Sequence, residues 1–276
     1  MSERARRPGP TVRTRVHELT ADGERRHEDR LATEEPLEIR LAWPGAAARR
    51  VWVTMRTPGH DFELAAGWLL HEGLVRPGDV HEVAYCTDTD LAPEQEFNVV
   101  TVTLDGPPAR DPGHRHTGLS AGSSACGVCG KDSVASALDV PRGEPWTGEL
   151  PGAPVVRRLP ELLRERQTVF SRTGGVHAAG LFTAAGEPLV VREDVGRHNA
   201  VDKVSGARML AGAAPAEACL VVSGRAGFEL VQKAISAGVG SLVAVGAPTS
   251  LSVRLAEGAG LVLYGFTSPQ RCVRYT

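Results

Sequence analysis

With 276 residues, 42% hydrophobic and 23% charged side chains, the chain reads as a soluble globular protein long enough for two domains. A formal net charge of −2 gives no global case for nucleic acid or an acidic membrane as partner, and no apolar run reaches the roughly 18 residues needed to cross a bilayer. Five scattered cysteines, an odd number, argue against a secreted disulfide framework, and the N-terminus lacks the apolar core of a signal peptide, so the expected compartment is the cytoplasm.

Residues 1–34 are rich in arginine (Arg4, Arg6, Arg7, Arg13, Arg15, Arg25, Arg26, Arg30), interleaved with Glu18, Asp22, Glu24, Glu28 and Asp29. Few of these side chains can be buried, so a disordered tail is expected, without nucleic-acid contact. From Pro36 the pattern turns to strand. Leu37–Leu41 alternates with period two, and Val51–Met55 is apolar and β-favouring. Pro58-Gly59 marks a turn and Asp61 a helix N-cap, followed by an apolar helical face of Phe62, Ala65, Ala66, Leu69 and Leu70. Strands near Val80–Cys86 and Phe97–Leu104 complete a small α+β domain over 35–105. His60 and His71 are assigned cap or surface roles, and Cys86 an inert thiol in a strand.

Residues 106–154 are loop-like, with Gly106-Pro107-Pro108, Pro112-Gly113 and a proline- and glycine-rich stretch from Pro141 to Pro154. This connection carries Cys126-Gly127-Val128-Cys129-Gly130. Small residues there let two sulfurs reach one exposed point, and the following Lys131–Leu138 has helical character, so the sulfurs would sit near a helix N-terminus that favours thiolate.

Over 155–276 strands and helices alternate. The expected order is a helix over Leu159–Gln167, with Pro160 in its first turn, and a hairpin His177–Thr183 with Pro188–Glu193. A helix Asn199–Leu210, strand Cys219–Ser223, helix Gly227–Ala237, strand Leu242–Gly246, helix Leu251–Glu257, strand Leu261–Phe266 and a last strand near Cys272–Tyr275 follow. The fold class is α/β, a three-layer sandwich with a largely parallel sheet beyond the hairpin. Two strand-to-helix turns hold the densest polar chemistry, Glu193–Lys203 and Ser223–Glu229. Both combine glycine with arginine, and helix N-termini at strand ends bind anions, which tilts the reading towards a phosphate-bearing ligand. The bland alternative is that Arg197 and Arg225 pair with Asp194, Asp202 or Glu229.

Three chemistries compete for the cysteine pair. A zinc site wants about four ligands, and His114 and His116 stand at unhelpful spacing. A thioredoxin-like redox pair normally follows the first strand of a βαβ unit, whereas this one follows a loop. Sulfur transfer needs only an accessible thiolate. The element order also resembles the cytidine deaminase fold, whose H-x-E and P-C-x-x-C zinc signatures are replaced here by His198-Asn199-Ala200 and Ser223-Gly224-Arg225-Ala226. Zinc–water chemistry is thereby removed and the pocket left for another ligand.

Together the Cys126/Cys129 motif, the run Glu193–Lys203 and the run Ser223–Glu229 resemble the FdhD family of formate dehydrogenase accessory sulfurtransferases, from about residue 35 to the C-terminus. The resemblance implies a cytoplasmic homodimer that takes persulfide sulfur from a cysteine desulfurase. It would pass that sulfur to the molybdenum or tungsten bis(molybdopterin guanine dinucleotide) cofactor, which it binds as a client with GDP as a mimic, before insertion into formate dehydrogenase. No metal is expected to be held directly by the protein. Cys126 would carry the persulfide and Cys129 assist. Cofactor contacts would come from Phe266, Thr267, Ser268, Pro269, Gln270 and Arg271, together with Arg197, His198, Asn199, Lys203, Ser223, Gly224 and Arg225. The other class of function is a non-enzymatic cofactor-binding chaperone whose CxxC is structural, holding zinc or a disulfide.

Overall fold

A computed structural model describes residues 7–86, 96–112 and 140–276; Cys126 and Cys129 lie outside the described residues. The small domain is a four-stranded sheet in the order β4-β3-β6-β5, formed by β3 (Glu35–Trp43), β4 (Ala46–Arg56), β5 (Val80–Tyr85) and β6 (Val99–Leu104). Alternation does the sorting: Leu37, Ile39 and Leu41 of β3 and Val100, Val102 and Leu104 of β6 point to one face. Helix α1 (Asp61–His71) covers that face with Leu64, Ala65, Leu69 and Leu70, and Trp68 stacks on Trp52 with ring centroids 4.8 Å apart. The helix N-cap is His60, in a left-handed conformation (φ 58°), and not Asp61. The Asp61 carboxylate instead accepts hydrogen bonds from buried Arg56, at 3.0 and 3.2 Å, and from the Tyr85 hydroxyl at 2.8 Å.

The large domain opens with α2 (Ala153–Arg164) and α3 (Thr168–Thr173). Helix α2 starts earlier than the position of Pro160 suggests, so that Pro154 occupies the first turn and Pro160 lies inside the helix. Burial of Val156, Leu159 and Leu163, one helical stripe, outweighs the lost backbone bond. A six-stranded sheet follows, in the order β12-β11-β10-β9-β7-β8: β7 (His177–Phe182), β8 (Pro188–Asp194), β9 (Cys219–Val222), β10 (Ser241–Ala244), β11 (Val262–Gly265) and β12 (Val273–Arg274). Strands β9, β10 and β11 are parallel; β7 runs antiparallel to β9 and β8, and β12 antiparallel to β11. Helices α4 (Arg197–Leu210), α5 (Phe228–Ala237) and α6 (Ser250–Ala259) supply the connections. Ala179, Leu181, Leu220, Val222, Leu242 and Leu263 face these three helices, whereas Ala178, Phe182, Val221 and Val243 face α2. Three layers, helix–sheet–helix, result.

The two domains meet where α1 crosses α4 over two glycines. A Cβ at Gly67 would lie 1.9 Å from the Asp202 carbonyl oxygen, and one at Gly206 would lie 1.8 Å from that of Glu63. Only glycine lets these backbones come so close.

The N-terminal segment corrects the expectation of a disordered tail. Strands β1 (Thr11–Thr20) and β2 (Gly23–Ala32) form an antiparallel hairpin in continuous register from Thr11↔Ala32 to Thr20↔Gly23. The two turn residues are Ala21-Asp22, and Gly23 opens β2 with a positive φ (133°); this Asp-Gly step between runs of equal length is the turn signal, and it outranks the polarity of the flanking residues. Cross-strand charge pairs such as Glu18–Arg25 (2.8 Å) take the place of a core.

Candidate functional site: a cleft at the strand ends

Parallel strands β9, β10 and β11 deliver their carboxyl ends to one edge of the large sheet, the place where open α/β sheets bind ligands. Ser223 follows β9 and braces it to β7: its hydroxyl accepts the Ala178 N–H at 2.9 Å, and its own N–H donates to the Ala178 carbonyl at 3.0 Å. Gly224 keeps space open beside His177, whose Nδ1 would stand 3.7 Å from an added Cβ. Arg225 is exposed, and its backbone lies against Gly246 at the end of β10, where a Cβ would meet the Arg225 Cα at 3.1 Å.

The same Gly246 accepts the Phe266 N–H at 3.1 Å, and Thr267 donates its N–H to Ala244 at 3.2 Å. Residues 266–271 therefore sit directly beside the Ser223–Arg225 turn. Phe266 has a left-handed backbone (φ 47°) that turns its ring outward, 41% exposed, beneath the Arg271 guanidinium at 5.2 Å. A turn closed by Ser268 N–H to the Arg271 carbonyl (2.8 Å) fixes this pair. The Thr267 hydroxyl is buried with no hydrogen-bond partner among the described residues, an orphan in a place where polar atoms are normally satisfied.

Helices α4 and α5 begin at this rim. Their N-caps, Gly196 and Gly227, offer no side-chain oxygen, so the first-turn N–H groups are not capped from within. At α6, by contrast, Thr249 caps the Ser252 N–H. His198 lies 3.3 Å from the Glu229 carboxylate across the two helix starts. Burial lowers the His177 imidazole below its ordinary value, with Arg197 and His198 adding to the effect, so it is neutral near pH 7. The arrangement is suited to an anion: uncapped helix N-termini, two arginines and a neutral histidine around glycine turns.

The structure divides the expected site residues. It brings together Arg197, His198, Ser223, Gly224, Arg225 and the loop 266–271. It places Asn199 and Lys203 apart from that group, buried and held by protein groups, and His198 within the group is likewise buried and bonded to Glu229. The Asn199 amide donates to the Met55 carbonyl (2.8 Å) and to Asp194 (3.0 Å). Lys203 Nζ contacts Asp194 at 2.6 Å and donates to the Thr57 carbonyl at 2.9 Å. Asp194 also accepts the N–H groups of Thr57 (3.1 Å) and Gly196 (2.8 Å). These residues clamp the large domain to the segment after β4.

A second buried cluster lies further along the same helices. Asp202 Oδ1 receives Lys233 Nζ and His71 Nδ1, both at 2.5 Å, while His71 Nε2 is 3.0 Å from the Ser205 hydroxyl. His71 is thus neither cap nor surface residue. Burial lowers its imidazole pKa despite the Asp202 hydrogen bond, and one neutral tautomer satisfies both neighbours. The spacing 198/202 on α4 against 229/233 on α5 is the sequence sign of this polar seam.

Among the described cysteines, Cys219 is buried and its thiol pushed up to about 12 by burial, while Cys86 and Cys272 are half-buried. Cys86 follows β5 and does not lie inside it. The stems flanking residues 113–139 converge on Gly73, whose Cβ would lie 2.9 Å from the Pro141 ring and 3.4 Å from Arg110 Nε. Pro141 also accepts the Ser236 hydroxyl at 2.9 Å, at the end of α5 opposite to the cleft.

The family model of the FdhD/NarQ family matches residues 32–276. The chain is 50% identical over 260 residues to the sulfur carrier protein FdhD of Nocardia farcinica, covering 93% of this chain and 89% of the relative. It is 46% identical over 269 residues to the protein of that name from Mycolicibacterium paratuberculosis, covering 96% and 97%. A crystal structure of a candidate formate dehydrogenase accessory protein from Desulfotalea psychrophila superposes with a TM-score of 0.72 at 22% identity, over 96% of each chain, and shows the shared mixed α/β fold. The chain belongs to the FdhD/NarQ family.

Proposed function

We propose that this protein is a cytoplasmic, homodimeric sulfur carrier that serves formate dehydrogenase. The Cys126 thiolate attacks the outer sulfur of a cysteine desulfurase persulfide; the S–S bond of the donor breaks, the desulfurase leaves as thiolate, and Cys126 carries S–SH. Attack by the Cys129 thiolate on the inner sulfur then forms a Cys126–Cys129 disulfide and releases hydrosulfide towards the metal of a bis(molybdopterin guanine dinucleotide) client. A dithiol reductant resets the pair. The client's guanine nucleotide occupies the cleft, with its phosphates at the N-termini of α4 and α5 and beside Arg197, Arg225 and Arg271. In this reading the large domain is a cytidine deaminase-like scaffold whose zinc turns have been converted to nucleotide contacts.

The observation that carries the reading is the convergence of two uncapped helix N-termini with Arg225 and the orphan Thr267 hydroxyl at one set of strand ends. The length of chain between the described residues and Cys126 is compatible with it. Cys126 stands fourteen residue steps from Pro112 and fourteen from Val140. Such a length reaches at most about 45–50 Å, against about 15 Å for the ten-residue α5 that separates stem from cleft.

Mass spectrometry after incubation with a desulfurase and cysteine tests the sulfur step. One added sulfur on the Cys126 peptide is expected; bound zinc with no persulfide would establish the structural, chaperone-only role of the CxxC. Cys126→Ala should abolish sulfuration of the dehydrogenase with GDP binding intact, and Arg271→Ala should weaken GDP binding with the persulfide still formed. Loss of GDP binding in Cys126→Ala would refute the division of labour.

A further inference from the structure

One residue at the cleft runs against the chemistry of an anion site. Glu229 stands in the first turn of α5, whereas the first turn of α4 holds no acid. A phosphate seated at the start of α5 would share it with that carboxylate, and like charges at such range repel. The carboxylate is not a loose surface group. Its side chain is 14% exposed, and His198 reaches across from α4 to within 3.3 Å of Oε2. Oε2 also lies 3.5 Å from where a Cβ on Gly227 would stand, so the group folds back over the glycine that opens α5. An acid in a first turn steadies its own helix through the dipole, but an exposed and mobile side chain suffices for that. The buried, unpartnered Thr267 hydroxyl, beside the turn that leads into α5, is an independent sign that a ligand completes this rim.

A carboxylate accepts hydrogen bonds and donates none, so what it recognises must present N–H or O–H groups. Its two oxygens match two donors set side by side. Among the purines guanine presents that edge, with N1–H next to the N2 amine. Adenine sets its amine beside an unprotonated N1, whose lone pair would face the carboxylate. Xanthine carries a carbonyl where guanine has its amine, and hypoxanthine offers N1–H alone. The ribose hydroxyls are a second pair of adjacent donors, but they lie next to the phosphates. The base edge is the end of the nucleotide remote from its phosphates, and seating it at Glu229 keeps the two anions apart.

We propose that Glu229 is a specificity-determining residue that reads guanine, accepting N1–H and the N2 amine at the start of α5. This rests on the nucleotide cleft proposed above and narrows it: the phosphates go to the arginines and the start of α4, the base to the start of α5.

Calorimetric titration of the full chain with GDP, ADP, inosine diphosphate and xanthosine diphosphate tests it, in the wild type and in Glu229→Gln. The wild type should bind GDP about 10- to 100-fold tighter than ADP or xanthosine diphosphate, with inosine diphosphate between. Glu229→Gln presents one acceptor and one donor, which suit xanthine N1–H and its neighbouring carbonyl. The variant should lose about 10-fold for GDP and gain a similar factor for xanthosine diphosphate, a gain that no misfolded chain produces. Equal wild-type affinity for GDP and ADP, or a Glu229→Gln chain that keeps its preference for guanine, would overturn the proposal and leave the nucleotide cleft standing. So would an equal loss for all four nucleotides, which would put the carboxylate on the ribose or on its own helix. A wild type that binds none of the four would overturn the cleft and the proposal together.

Discussion

The run Glu193–Lys203 serves two regions that use polarity in opposite ways. At the cleft, Arg197 and His198 stand beside exposed Arg225 and uncapped helix starts, with the Thr267 hydroxyl unpartnered nearby. In the seam, Asp194, Asn199 and Lys203 are buried and bonded to Met55 and Thr57 of the other domain. The difference teaches that polar density in a motif offers a ligand something only where hydrogen-bonding capacity is left over, as at the Thr267 hydroxyl, and not at each polar residue of the run, since His198 is itself bonded to Glu229. Where every donor and acceptor is taken by protein, the same residue types are structural clamps.

That contrast can be broken from the seam side first. Lys203→Met leaves the Asp194 carboxylate buried without its charge partner and should lower stability by about 3–5 kcal/mol in urea unfolding, while any folded fraction keeps its GDP affinity. A loss of GDP binding with unchanged stability would move Lys203 back into the cleft.

Next is acid sensitivity. The folded-state pKa of His71 is depressed by burial, so its contribution to stability is present above the ordinary value of 6.5 and lost as pH falls below it. Asp202, which contacts both Lys233 and His71, is itself held below its ordinary value: burial alone would raise it, but Lys233 and His71 outweigh that. Its own contribution is therefore lost only at more acidic pH. Between pH 7 and 5.5 the unfolding free energy should drop by about 1 kcal/mol through His71, and His71→Gln should flatten that limb. An unchanged slope in the variant would show that His71 is not the titrating group.

The smallest effect belongs to the cleft. Thr267→Val removes a hydroxyl that bonds nothing among the described residues, so stability should stay within about 0.5 kcal/mol. GDP affinity, read by calorimetry, should fall several-fold if that hydroxyl meets the ligand, and an unaltered affinity would assign it no part in binding.

Much of the large domain was legible. The hairpin of β7 and β8 and the alternation from α4 to β11 follow from apolar periodicity, and their observed ends fall within a few residues of the expected ones. The cleft was legible too, because glycine–arginine turns at strand ends are local signals. The clamps were not. Asp194 meets Thr57 across 137 residues of sequence and His71 meets Asp202 across 131, and no window along the chain displays such a partner. The N-terminal hairpin was missed for a different reason. Its strands lack the apolar face that normally announces a strand, and their cross-strand ion pairs appear only once the register is known.

The glycine crossing of α1 and α4 has a mechanical consequence. With Gly67 seated on the Asp202 carbonyl and Gly206 on that of Glu63, the two helices can neither roll nor slide without a backbone collision or an opened gap. At this crossing the two sheets are thereby locked together as one block. Under the function proposed above, entry of the client nucleotide falls to the rim itself, to the Phe266–Arg271 turn and the side chains around it. Mutations that loosen the weld should cost stability long before they change the shape of the cleft.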